Sequence, residues 1–180
     1  MKKKSELRIW AKETRKNLDM VQISGQICSN LQRSDIYKQA KNVLIFYPLK
    51  TEVDLLNLPC EDSKIKNFYL PRVKGEDLEV CPYCFGDKLE LSELKIEEPV
   101  TEPVDKNILD IVIAPALCVD KRFYRLGYGK GYYDRFCADI SAKCLVVIPE
   151  ALVVEEIETD SHDVRCDGII TEKKASFFRG

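Results

Sequence analysis

The chain has 180 residues, 45% of them hydrophobic, with 28 Lys and Arg against 30 Asp and Glu for a formal charge of -2. That length and apolar content suit one compact domain over residues 1–180, and the near-neutral balance excludes a global field that would gather nucleic acid or an anionic membrane. No stretch approaches the roughly twenty apolar residues that span a bilayer, and Lys4 leads into Ser5, Glu6, Leu7 and Arg8 rather than the apolar core of an export signal.

A cytoplasmic location is therefore expected, and a monomer is the expected state although the sequence does not reveal it. The eight cysteines are spread along the chain and read as reduced thiols rather than a disulfide scaffold. One pair, Cys81 and Cys84 in Cys-Pro-Tyr-Cys, has the spacing of a redox dithiol or half a zinc site.

In chain order, Leu7, Trp10, Ala11 and Leu18 recur at helical spacing and predict an amphipathic helix from Lys3 to about Leu18, with Lys4 and Arg8 one turn apart on one face. Lys2 and Lys3 read as solvated charge. Ile23, Ile27 and Leu31 form a second helical stripe, ending near Ser34 or continuing through Ile36.

The run Val43 to Tyr47, closed by Pro48, has the continuous apolar character of a strand buried on both faces. Similar runs at Phe68–Leu70, Leu109–Ala114, Leu145–Ile148 and Gly168–Thr171 are separated by segments long enough for crossover helices. The pattern predicts an α/β fold, a mostly parallel central sheet with helices on both faces. The charged, proline-containing stretch from Val73 to Val104 predicts strands and loops that decorate it.

Leu109 to Arg135 carries the chemistry. A buried strand ends at Pro115 and leads into Arg125, Leu126, Gly127, Tyr128, Gly129, Lys130, Gly131, Tyr132, Tyr133, Asp134 and Arg135. Alternating glycines tolerate positive φ and close backbone approach, so successive N–H groups can converge on a phosphate. Arg125 and Lys130 can neutralise phosphate oxygens, and Asp134 can hold an accompanying magnesium. The spacing matches neither the P-loop nor the dinucleotide fingerprint. Taken alone, the three glycines serve equally well as a tight turn.

The composite run resembles the signature of the 5-formyltetrahydrofolate cyclo-ligase family, Arg-Leu-Gly-x-Gly-x-Gly-Tyr-Tyr-Asp-Arg after a strand ending in Pro. Lys4 with Arg8, the trio Glu52, Val53, Asp54, the run Tyr69 to Arg72, the run Ile96 to Pro99 and the run His162 to Asp167 extend the resemblance in order over nearly the whole chain.

The resemblance implies a ligase that uses ATP and Mg2+ to cyclise 5-formyltetrahydrofolate to 5,10-methenyltetrahydrofolate. It gives ATP contacts to Lys4, Arg8 and the segment Arg125 to Tyr133, and catalytic charge to Arg125 and Lys130. Folate contacts fall to Glu52 and to Tyr128, Gly129, Lys130, Gly131 and Tyr132; Tyr47, at the end of the preceding strand, can line the same pocket by its position. Asp134 and Asp167 match the magnesium positions and are expected to meet where parallel strands end. His162 reads as a supporting residue.

Three positions depart from the family pattern: Phe123 stands at a usual turn glycine, Leu55 where Thr is common, and Ala116 where Gly often follows the strand proline. Two rival functions remain open at this stage. One is an ATP-dependent relative on the same fold with another substrate, and the other is a thiol or zinc module built on Cys81 and Cys84.

Overall fold

A computed structural model describes residues 3–180; Met1 and Lys2, and with them the solvated Lys2, lie outside the described residues. Helix α1 (Lys4–Lys16) is followed by α2 (Met20–Arg33), whose first turn is capped by the Asp19 carboxylate accepting from Gln22 N at 3.1 Å. Ser34 turns extended, so the second apolar stripe both ends there and resumes as the short α3 (Asp35–Gln39).

Strand β1 (Asn42–Leu44), helix α4 (Asn57–Glu61), the hairpin of β2 (Asn67–Lys74) and β3 (Asp77–Tyr83), and the pair β4 (Leu89–Leu91) and β5 (Glu97–Pro99) come next. Then follow β6 (Ile111–Ala114), β7 (Cys118–Asp120), β8 (Arg125–Leu126), α5 (Tyr132–Ala138) and β9 (Lys143–Val147). Strands β10 (Val153–Val154), β11 (Gly168–Ile170) and β12 (Ala175–Phe177) close the chain.

The main sheet has the order β12-β11-β9-β6-β1-β2-β3. Five neighbouring strands, β11 to β2, run parallel, and antiparallel β12 and β3 form the edges. The predicted mostly parallel α/β sheet is what forms. Alternate residues face opposite ways, as the pleat requires: Val43, Ile111, Ile113 and Leu145 pack under Ile27 and Leu31 of α2, Tyr37 of α3 and Leu58 of α4. On the other face Ala114, Val146 and Ile148 meet Leu7 and Ala11 of α1, while Leu44 and Val112 meet Phe136 of α5.

The strands expected after Val73 form: β3 is a seven-residue edge strand in register with β2, an edge position where Pro82 is tolerated. One expectation needs correction. The crossover from β9 to β11 contains no α-helix, and α1, from the start of the chain, covers that face instead. No helix among the described residues is long and apolar enough to cross a membrane.

All eight cysteines are free thiols, five of them buried. Cys81 is buried inside β3 and Cys84 lies exposed just past its end. Neither stands at a helix N-terminus, the setting that makes a CxxC thiol reactive. Phe123 has φ +71°, so the position where the resembled family carries glycine keeps the left-handed backbone that favours glycine. Its ring packs edge-on against Phe178, with centroids 5.7 Å apart.

Candidate active site

The parallel strands, in the order β2-β1-β6-β9-β11, reverse direction of winding between β1 and β6. In open α/β sheets a crevice forms outside the carboxyl ends of strands at such a point. The segment after β1 delivers Tyr47 and Glu52 to it. The segment after β6 passes through the β7–β8 hairpin and delivers the glycine loop.

Glu52 is buried, 6% exposed, and its carboxylate is held from both sides: Leu49 N donates to Oε2 at 2.7 Å and the Tyr128 hydroxyl to Oε1 at 2.9 Å. Burial raises its pKa above the ordinary carboxylate value, opposed by those two hydrogen bonds and by the charge of Arg15. Burial and the neighbouring Glu52 push the Tyr128 hydroxyl up as well. Tyr47, Glu52 and Asp54 line a cleft of about 480 Å³ together with Met20, Ser24 and Cys28 of α2.

The glycine loop is shaped by steric demand. Gly129 and Gly131 have φ of +100° and +71°. Gly127 is not left-handed, but a Cβ there would lie 3.1 Å from Arg125 Nη1. Arg8 comes from α1, donates from Nε to Gly127 O at 3.1 Å, and lays its guanidinium beside Gly129, 3.6 Å from where a Cβ would stand. The structure thus brings together Arg8, the glycine loop and Glu52. Lys130 is exposed on that loop, and its carbonyl accepts from Arg135 Nη1 at 3.0 Å.

Other predicted residues are placed differently. The Arg125 guanidinium is turned inward, its side chain 4% exposed, with Nη2 2.9 Å from Asp134 Oδ1 in a charge contact lacking hydrogen-bond alignment. It also faces the Tyr133 ring, 5.6 Å from the centroid. Tyr132 opens α5 beneath the Arg135 guanidinium. Lys4 donates to Asp160 Oδ2 at 2.6 Å and Asp163 Oδ2 at 2.8 Å, tying α1 to the loop that carries the exposed His162. Burial would lower its pKa, but the hydrogen bonds and charges of those two aspartates prevail and raise it.

Asp134 and Asp167 do not meet at strand carboxyl ends. Asp167 immediately precedes β11, at the amino ends of the strands; its Oδ2 accepts from Cys144 N at 2.8 Å and its Oδ1 lies 3.3 Å from Lys143 Nζ. No cluster of three or more His, Cys, Asp or Glu fit to hold a metal occurs among the described residues. Magnesium carried on nucleotide phosphates needs only one or two carboxylates. Asp134 fits that demand: Oδ1 faces Arg125, while Oδ2 has no hydrogen-bond donor among the described residues.

Arg15 escaped the sequence reading. It is buried at 3% exposure in the last turn of α1 and binds carbonyls of both segments bordering the crevice. A signal existed: Lys4, Arg8, Ala11 and Arg15 follow one helical stripe, so Arg15 shares the face that buries Leu7 and Ala11.

A doubly wound sheet with a glycine loop and a buried carboxylate at its switch point is the kind of architecture on which α/β folds build small-molecule sites. The sequence matches the 5-formyltetrahydrofolate cyclo-ligase family over residues 1–172, and the chain belongs to that family of ligases. A probable 5-formyltetrahydrofolate cyclo-ligase of Schizosaccharomyces pombe is 25% identical over 174 residues, covering 84% of each chain. The 5-formyltetrahydrofolate cyclo-ligase of Mycoplasma genitalium is 28% identical over 131 residues, covering 72% of each. Among solved structures, the 5,10-methenyltetrahydrofolate synthetase of Aquifex aeolicus superposes with a TM-score of 0.87 at 33% identity, over 98% of this chain and 93% of that one.

Proposed function

We propose that the chain cyclises 5-formyltetrahydrofolate to 5,10-methenyltetrahydrofolate at the expense of ATP, with Mg2+. Family membership supports the reaction class. The observation that carries the reading to particular residues is the Tyr128–Glu52 hydrogen bond, which joins the glycine loop to a buried carboxylate of the segment after β1.

In this reading Glu52 accepts the paired N–H groups of the pterin, which a carboxylate suits, while Tyr47 and Tyr128 border the ring. The amides from Leu126 to Tyr133 wrap the phosphates. Lys130, exposed on the loop, and Arg8, laid against it, supply the positive charge. Arg125 acts through Asp134, fixing the first turn of α5 beside the phosphates. Contact of Lys4 with ATP requires phosphate to displace Asp160 and Asp163.

Magnesium, held through Asp134, would neutralise phosphate charge. The formyl oxygen attacks the γ-phosphorus and ADP departs. N10 then attacks the formyl carbon, loses its proton to solvent, and phosphate leaves with the former formyl oxygen. No protein nucleophile is needed, so the residues contribute position and charge.

This balance has an isotopic signature. With ¹⁸O in the formyl group, the phosphate released should carry the label, read by mass spectrometry. Unlabelled phosphate beside labelled water would sink the phosphorylation step.

A further inference from the structure

The charged residue least explained by the fold is Arg15. It is 3% exposed, and no carboxylate lies within ion-pair distance of it among the described residues, although the charge of Glu52 acts on it from further off. Its guanidinium finds only backbone partners: Nη1 donates to Thr51 O at 2.9 Å, and Nη2 donates to Ala116 O and to Leu117 O, the latter at 3.2 Å, while Nε has none. Burying a guanidinium without a paired anion is costly, and an apolar side chain of similar size would serve packing better.

What the arginine connects explains its presence. Thr51 is the residue before Glu52, on the segment after β1. Ala116 and Leu117 lie on the segment after β6, and Leu117 N donates to Leu126 O at 2.7 Å, one residue before the glycine loop. A planar fork can bridge two strands of backbone at fixed spacing, which a lysine ammonium cannot. The side chain therefore sets the gap between the two walls of the switch-point crevice.

We propose that Arg15 is a positioning residue for folate: by clamping Thr51 to Ala116 and Leu117 it holds Glu52 opposite Tyr128 and keeps a compensating positive charge behind the Glu52 carboxylate. The inference rests on Glu52 being the folate carboxylate. The titratable groups facing Glu52 are Arg15 from α1, Tyr128 from the glycine loop and Tyr133 from α5. Of these only Arg15 is cationic, and it opposes the effect of burial on Glu52. Without it Glu52 takes up a proton at higher pH and loses acceptor capacity toward the pterin.

The experiment measures KM for 5-formyltetrahydrofolate and for ATP from pH 5.5 to 8.5 in the wild-type chain, Arg15→Met, Arg15→Lys and Glu52→Gln. In wild type, folate KM should rise on acidification and ATP KM should not. Arg15→Met should raise folate KM about 10-fold at neutral pH, leave ATP KM within about twofold, and move the acid rise to higher pH. Arg15→Lys keeps the charge but bridges fewer carbonyls, so its folate KM should rise about fivefold with the wild-type pH profile.

Glu52→Gln should lose the acid rise. Equal changes in both KM values for Arg15→Lys, an unmoved pH profile in a folded Arg15→Met, or failure of Arg15→Lys to fold would overturn the proposal and leave Arg15 a stability residue. Absence of folate turnover in wild type would instead sink the functional reading beneath it.

Discussion

Tyr128 and Glu52 are 76 residues apart in sequence, yet the Tyr128 hydroxyl donates to Glu52 Oε1 at 2.9 Å. The bond joins the segments after β1 and β6, and it satisfies a carboxylate with little contact with water. Tyr128→Phe leaves that oxygen short of a donor, at a cost of about 1–3 kcal/mol. Urea unfolding should show that loss, and steady-state kinetics a rise in folate KM larger than that in ATP KM. Equal rises would detach Tyr128 from the folate side.

Glu52 should give opposite pH trends for binding and stability. Its folded pKa is raised, so its protonated form is the one folding favours. Its contribution to stability is thus present below the unfolded carboxylate value and lost as pH rises through the folded one. Ligand acceptance needs the ionised form and fails as pH falls through the same value. Glu52→Gln should flatten both trends in thermal melts and in folate KM, and should raise folate KM by roughly 10- to 100-fold at neutral pH, the worth of a charged hydrogen bond.

Gly131 has φ +71°, and a Cβ there would meet Arg135 Nη1 at 2.7 Å. That atom ends a flexible side chain, so it can move away, though it would give up Lys130 O. Gly131→Ala should therefore cost about 1 kcal/mol, mostly backbone strain. ATP KM should suffer more than stability, rising at least about tenfold if the loop amides cradle phosphate. Calorimetry beside kinetics checks both. A variant with unchanged ATP KM would contradict the loop's assignment.

Phe123 separates strain from packing. Phe123→Ala removes the contact with Phe178 but keeps a Cβ at positive φ, whereas Phe123→Gly removes both ring and strain. The glycine variant should be more stable than the alanine variant by about 1 kcal/mol. Equal midpoints in urea would show that the backbone relaxes away from +71°.

The sequence announced the sheet wherever burial on both faces removed polar residues, as at Val43–Phe46 and Ile111–Ala114. It announced strands after Val73 but not that β3 joins the main sheet, because an edge strand with an exposed side tolerates Asp77, Glu79 and Pro82 and lacks the apolar run of a buried strand. The glycine loop was legible because close backbone approach demands a residue type. The Arg125–Asp134 contact was not: nine residues of chain and a loop of unusual dihedrals decide whether the two side chains face solvent or each other. Arg15 was hidden for a similar reason, since its partners are backbone carbonyls, which leave no mark on side-chain identity.

The most direct test mixes the purified chain with 5-formyltetrahydrofolate, Mg2+ and ATP and follows the near-ultraviolet absorbance of the methenyl product, with an ATP-free control. Growth of that band only when ATP is present is the predicted result. A folded chain that binds ATP but produces no methenyl absorbance would contradict the assignment and point to a ligase of this fold acting on another substrate.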